Sequence, residues 1–196
     1  MKIGIFGGTF SPPHIGHLIC AERVRSELSL DMVLFIPAFI APHKQDAETA
    51  PALDRLRMTR LATVDSERFQ TSDVEILARE TSFTIKTLER LTRTQPQDEF
   101  TLIIGMDNYH TFHTWKEPKR VLQLASLAVM NRPGFPTVVN EVIGTHRTQF
   151  VEVPNIDISS SQIRDRVRQG RSVRFMVPER VNDYITERKL YIEKSA

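Results

Sequence analysis

The sequence predicts an α/β fold, a mostly parallel sheet with helices on both faces, and three observations predict it. Short, nearly continuous apolar runs alternate along the chain with stretches whose apolar residues recur at helical spacing. Two of those runs end in glycine, at Gly7-Gly8 and at Gly105, as strands do where they turn into a ligand-binding loop. No internal repeat, low-complexity tract or long Pro/Gly linker divides the 196 residues, so one domain is expected, with a small helical part from about residue 159 to 196.

The elements follow in order. Residues 2–6 read as a short buried strand, and Pro12-Pro13 breaks the chain after it. Leu18, Ala21 and Leu28 share one face of a helix over residues 15–28, and residues 32–37 form a second apolar strand. A loop rich in Pro and Ala runs to Ala50, before a helix over residues 53–63 with Leu53, Leu56 and Leu61 apolar. A short strand is expected near residues 68–71. Ser82 is read as the N-cap of a helix reaching Thr94, with Ile85, Leu88 and Leu91 at helical spacing. Residues 100–105 form a buried strand, residues 119–123 a helix, and residues 127–131 and 150–153 two more strands. Two helices close the chain, one after Ser159 and one after Pro178, a good first helical residue.

Formal net charge is +2, which argues against a dedicated nucleic-acid binder. A small anionic ligand needs only a local basic site. Cys20 is the single cysteine, so an internal disulfide is impossible and a reducing cytoplasm is the expected setting. No apolar signal region and no membrane-length apolar run occurs, so neither a membrane nor a nucleic acid is an expected partner.

Ligands bind beyond the carboxyl ends of the strands in such sheets, so three segments carry the chemistry. The first is Gly7-Gly8-Thr9-Phe10-Ser11-Pro12-Pro13-His14-Ile15-Gly16-His17. Glycines admit a phosphate close to the backbone, and a helix start offers free N–H groups and a positive dipole end. Two histidines three apart can donate together to phosphate oxygens, though either alone could be an ordinary helix-start residue. The segment is not a dinucleotide fingerprint, because positions 4, 6 and 9 are Gly, Phe and Thr, and no Walker A lysine follows.

The second segment is Ile158-Ser159-Ser160-Ser161-Gln162-Ile163-Arg164, where Ser159 and Gln162 have capping-box spacing. The N–H groups of the next turn could hold an anion, and Arg164 could add charge-assisted bonds. The nearby Arg166, Arg168, Arg171 and Arg174 read as a solvated face or as counterions. In the third segment, residues 100–108, a strand ends in Gly105 and Asp107 follows, suited to a ribose or adenine contact or to an N-cap. Trp115, the only tryptophan, fits core packing and stacking on a flat ring equally well.

The string Gly-Gly-Thr-Phe-x-Pro-x-His-x-Gly-His resembles the signature of the adenylyltransferase superfamily related to class I aminoacyl-tRNA synthetases. Ala41-Pro42-His43-Lys44 is similar to the Pro-Pro-His-Lys loop of bacterial nicotinate-nucleotide adenylyltransferases, and Ile158 to Arg164 resembles their Ile-Ser-Ser-Thr-x-x-Arg motif, with Ser161 in place of Thr. Gly105 to Trp115, Ser82 to Leu88, Asn131 to Gly134, Val177-Pro178-Glu179 and Tyr184-Ile185 match further family segments, in order over nearly the whole chain. Ser11 departs from the family's frequent Asp.

The resemblance implies a Rossmann-like nucleotidyltransferase fold and adenylyl transfer from ATP to nicotinate mononucleotide, giving nicotinate adenine dinucleotide and pyrophosphate in NAD biosynthesis. It implies charge stabilisation by His14, His17, Lys44, Ser160 and Arg164. ATP contacts fall on Gly7, Gly8, Thr9, Phe10, Gly16, Gly105, Asp107, Ile158, Ser159 and Ser161, and acceptor contacts on Phe83, Thr84, Trp115 and Arg132. Mg²⁺ is expected to arrive with ATP, with no metal held by the protein itself. A homo-oligomer is compatible with the sequence. The rival readings are adenylyl transfer to another phosphate, such as phosphopantetheine, and a nucleotide sensor without turnover. A tRNA ligase would need a Lys-Met-Ser-Lys-Ser segment, which is missing.

Overall fold

The computed structural model describes residues 1–42, 48–136, 143 and 147–192. Six strands, β1 (Lys2–Gly8), β2 (Met32–Pro37), β3 (Phe69–Thr71), β4 (Glu99–Gly105), β5 (Ser126–Met130) and β6 (Thr148–Val151), form one sheet in the order β3-β2-β1-β4-β5-β6. Every adjacent pair is parallel. The chain winds outward from β1 through β2 to β3, then crosses to β4 and winds the other way. That order reverses between β1 and β4, so the loops leaving these two strands diverge and open the crevice in which such sheets bind ligands. Both glycine-ended runs of the sequence lead into it.

The period of two in each strand sorts side chains between two cores. Ile3, Ile5, Met32, Leu34, Ile36, Phe100, Leu102, Ile104, Leu127 and Val129 face one side. There α4 (Thr84–Thr94) and α6 (Pro118–Leu124) cover them with Ile85, Leu88, Leu91, Val121 and Leu122. Phe6, Val33, Phe35, Ile103, Ala128 and Met130 face the other side, beneath Ala21 and Val24 of α1 (Ile15–Glu27). Gly4 points to this second face, where a Cβ would stand 2.9 Å from both Ile103 Cδ1 and Leu30 Cδ1. A third cluster joins α2 (Ala52–Thr63), α7 (Ser160–Arg168) and α8 (Glu179–Glu187) through Met58, Ala62, Ile163, Val181 and Ile185.

Short elements fill the connections: α3 (Val74–Ala78), α5 (Met106–His110) and a 3₁₀ turn at Phe112–Thr114. None has the length to show helical periodicity, which is why α3 is unforeseen in the sequence. Two local readings are corrected. Ser82 is not the N-cap of α4, which is Phe83. Its hydroxyl instead accepts the Phe39 N–H at 2.9 Å, while its own N–H donates to the Ile40 carbonyl, so Ser82 fastens the segment leaving β2. In α2, Leu53 is 71% exposed, whereas Asp54, Arg55, Met58 and Thr59 are buried. Among the described residues no helix is long and apolar enough to cross a membrane.

Candidate active site

The turn from β1 into α1 is packed residue by residue. Phe10 has φ 50°, which turns its ring inward until it is 2% exposed. Gly8 makes room, since a Cβ there would meet the Phe10 ring at 3.1 Å. The ring supports His17 edge-on, with centroids 5.1 Å apart. His14, the N-cap of α1, lies against His17 with ring centroids 3.7 Å apart and planes 30° from parallel. Gly16 permits this, because a Cβ there would stand 3.0 Å from His14 Nδ1. The His14 N–H donates to His17 Nδ1 at 3.1 Å. An accepting Nδ1 assigns the proton of the neutral His17 ring to Nε2, the atom a phosphate oxygen would need.

His14 is 7% exposed, and burial pushes its pKa down to about 4. The ring is therefore neutral at neutral pH, and its buried Nδ1 has no hydrogen-bond partner among the described residues. Gly7, exposed at the end of β1, differs from Gly8 and Gly16: a Cβ there would meet nothing within 4 Å, so its surface is open to a ligand.

The start of α7 is stitched to this turn. Ser159 caps the helix by accepting the Gln162 N–H at 3.2 Å, and Gln162 Oε1 accepts the Ser159 N–H at 2.9 Å, the reciprocal box its spacing predicts. Ser160 Oγ donates to the Pro12 carbonyl at 2.8 Å. Arg164, 5% exposed, donates to the Ser11 carbonyl at 3.1 Å and to Ser161 Oγ at 3.4 Å, and its guanidinium lies 3.7 Å from Glu48 Oε2. Arg168 takes the other Glu48 oxygen at 3.0 Å. Ile158 is half-buried against the third core cluster. His14, His17, Ser160 and Arg164 thus share one region where two helix starts meet, with Thr9 and Phe10 beneath. Lys44 and His43 lie outside the described residues.

Across the switch point, Gly105 caps α5 and Asp107 sits in its first turn, so Asp107 is not the N-cap. Its Oδ1 folds back to 2.6 Å from where a Gly105 Cβ would stand, and Oδ2 pairs with Arg132 at 2.5 Å. Two candidates read separately in the sequence are therefore one ion pair. Phe83, Thr84 and Trp115 are half-buried at the edge of the first core. Trp115 leans on Phe112 with centroids 5.0 Å apart, and Lys116 Nζ stands 4.7 Å over the Phe83 ring. Thr84 is the first residue of α4, where N–H groups lack partners within the helix.

Three supporting residues escape sequence reasoning. Ser11 Oγ accepts the Ala50 N–H at 2.9 Å and lies 3.1 Å from the Tyr191 hydroxyl, so the position where the family often has Asp holds a buried junction. Glu75 is buried and accepts a hydrogen bond from the Thr87 hydroxyl. Burial pushes its carboxyl pKa up, against that bond. Arg55 gives its guanidinium wholly to main-chain carbonyls. The only sequence signal for it is an arginine between Asp54 and Leu56 in α2, a setting any surface arginine shows.

Among the described residues no group of three or more His, Cys, Asp or Glu side chains is placed to hold a metal ion. Residues 5–166 match the cytidylyltransferase-like family. Relatives named "Probable nicotinate-nucleotide adenylyltransferase" include one from Geobacillus thermodenitrificans, 42% identical over 97% of this chain and 86% of its own. One from Exiguobacterium sibiricum is 39% identical over 97% and 99%, and one from Thermus thermophilus 42% identical over 97% and 100%. A Plasmodium falciparum nicotinic acid mononucleotide adenylyltransferase solved with NaAD has the same fold, with a TM-score of 0.78, 18% identity, and 97% of each chain covered.

Proposed function

We propose that this chain, which belongs to the nicotinate-nucleotide adenylyltransferases within the cytidylyltransferase-like family, moves the adenylyl group of ATP to nicotinate mononucleotide in NAD biosynthesis. One observation carries the reading: two helix starts, those of α1 and α7, are bonded together around a stacked histidine pair and a buried arginine. Helix starts, imidazole N–H and guanidinium all favour anionic oxygen. The names of the relatives fix which anions.

The 5′-phosphate of the mononucleotide is itself the nucleophile. Its oxygen attacks the α-phosphorus of ATP, the bond from that phosphorus to the bridging α,β-oxygen breaks, and pyrophosphate leaves with the bonding pair. No side-chain nucleophile or base is required. The difficulties are repulsion between anions, alignment, and charge building on the leaving group, which positioning and fixed electrostatics answer. We assign that work to His14, His17, Lys44, Ser160 and Arg164. Neutral His17 donates through Nε2, and phosphate arriving beside His14 favours protonation of a ring that burial keeps neutral. Gly7, Gly8, Thr9, Phe10 and Gly16 form the floor for ATP, with Ile158, Ser159 and Ser161 opposite and Gly105 and Asp107 across the crevice. Phe83, Thr84, Trp115 and Arg132 receive the pyridine nucleotide.

Mg²⁺ enters as part of the ATP substrate. The phosphate side offers ring nitrogens, hydroxyls and a guanidinium, with its one described carboxylate, Glu48, lying against Arg164 and Arg168, a set that suits anions rather than a hard cation. We place the reaction in the cytoplasm, in keeping with a single cysteine and no disulfide.

The test is pyrophosphate release from MgATP with a panel of phosphate acceptors, with the dinucleotide product identified by mass. Nicotinate mononucleotide should release pyrophosphate and yield its adenylylated mass. Release with phosphopantetheine alone would move the assignment to another acceptor, and binding of ATP without release would make the chain a sensor.

A further inference from the structure

Arg55 is 4% exposed and, among the described residues, has no carboxylate on its guanidinium; instead Nε donates to the Ala50 carbonyl at 3.0 Å, one terminal nitrogen to Thr9 at 3.0 Å and Ala38 at 2.5 Å, and the other to Phe39 at 2.9 Å. These carbonyls belong to three separate stretches: the turn after β1, the exit of β2, and the lead into α2. Four bonds from one planar group need the fixed fork of a guanidinium; an ammonium has three donors on one atom and is harder to bury. Burial alone pushes the Arg55 pKa down, yet an arginine remains charged at any physiological pH.

The Thr9 carbonyl is the significant partner, because the next residue is Phe10. A non-glycine residue at φ 50° sits in the left-handed region and persists only where its surroundings hold it there. On one side of Phe10, Arg55 holds Thr9. On the other, Ser11 is held through its side chain by Ala50 and through its carbonyl by Arg164. Phe10 in turn is the floor on which His17 stands. The chain of contacts runs from Arg55 through Thr9 and Phe10 to the ring that the proposed reaction uses.

We infer that Arg55 is a positioning residue for His17, fixing the Phe10 turn through the Thr9 carbonyl without touching substrate. The inference rests on the adenylyl-transfer reading for its kinetic arm, and on geometry alone for its spectroscopic arm. Arg55→Lys keeps a cation and loses the fork. In the folded variant kcat should fall on the order of 10²-fold, the scale of a misplaced catalytic group, with both KM values unchanged. Nitrogen-15 signals of the His17 ring should leave the Nε2–H tautomer pattern for an averaged one. In Arg55→Ala, free guanidinium ion should restore part of kcat where ammonium ion does not.

Unchanged His17 signals and unchanged kcat in a folded Arg55→Lys protein would overturn the inference. So would a lowered melting temperature with kcat per folded molecule intact, or failure of both variants to fold, since Arg55 would then be only a brace of the core. If the unsubstituted protein releases no pyrophosphate, the reaction reading fails, and the His17 ring signals still decide the role of Arg55.

Discussion

The two sides of the crevice are built to opposite standards. On the β1 side, His14, Ser11, Phe10 and Arg164 are nearly inaccessible, and the turn is tied to α7, to the lead into α2 and to the C-terminal Tyr191. On the far side, Phe83, Thr84 and Trp115 are half-exposed, and Arg132 reaches Asp107 from the surface. The difference teaches a division of labour. On the proposed assignment the buried side carries the phosphates, where charge development needs donors that do not reorganise. On the same proposed assignment the half-exposed side admits the acceptor ring and releases the product.

If the buried side controls rate, His17→Ala should lower kcat by about 10²- to 10³-fold, as removal of an oxyanion donor does. Steady-state kinetics checks it, and an unchanged kcat with a raised KM for ATP would erase the distinction between the sides.

The buried side should also fail first in acid. His14 has a folded pKa of about 4 against 6.5 unfolded, so between those values the unfolded chain binds a proton that the folded chain refuses. Its contribution to stability is complete above pH 6.5 and is lost as pH falls towards 4, amounting to about 3 kcal/mol. Melting curves of the wild type and His14→Asn across that range should converge in acid, and parallel curves would contradict the burial of His14.

The smallest effect belongs to the open side. Trp115→Ala should raise KM for the mononucleotide by about 2- to 12-fold, the worth of one aromatic contact, and leave KM for ATP in place. The single tryptophan also supplies a fluorescence signal for acceptor binding. Silence in both would assign Trp115 to the first core alone.

How much of this was legible depended on the range of each interaction. The strand pattern, the glycine-ended runs and the Ser159–Gln162 box are local in sequence, and the structure has them all. The histidine string was visible as a string, but not the Phe10 floor that orients it. Ser82 looked like a cap because its true partner, Phe39, lies 43 residues away. Arg55 and Leu53 exchanged the places that hydrophobicity alone assigns them, since four carbonyls converging from three stretches outweigh the burial of one leucine. Asp107 and Arg132 were each singled out, and only folding shows them to be one pair.

The most direct measurement sets nicotinate mononucleotide and nicotinamide mononucleotide in competition, equimolar, under one MgATP concentration, with both dinucleotides counted by mass. The acceptors differ only at the ring substituent. With the substituent at Thr84, as proposed, a carboxylate suits the N–H groups and positive dipole end of the helix start, whereas an amide giving its oxygen there leaves its two N–H donors to find other acceptors. One such mismatch costs about 1–3 kcal/mol, so nicotinate adenine dinucleotide should exceed the amide product by about ten- to a hundredfold. Equal amounts, or an excess of the amide product, would contradict the nicotinate assignment and leave adenylyl transfer standing.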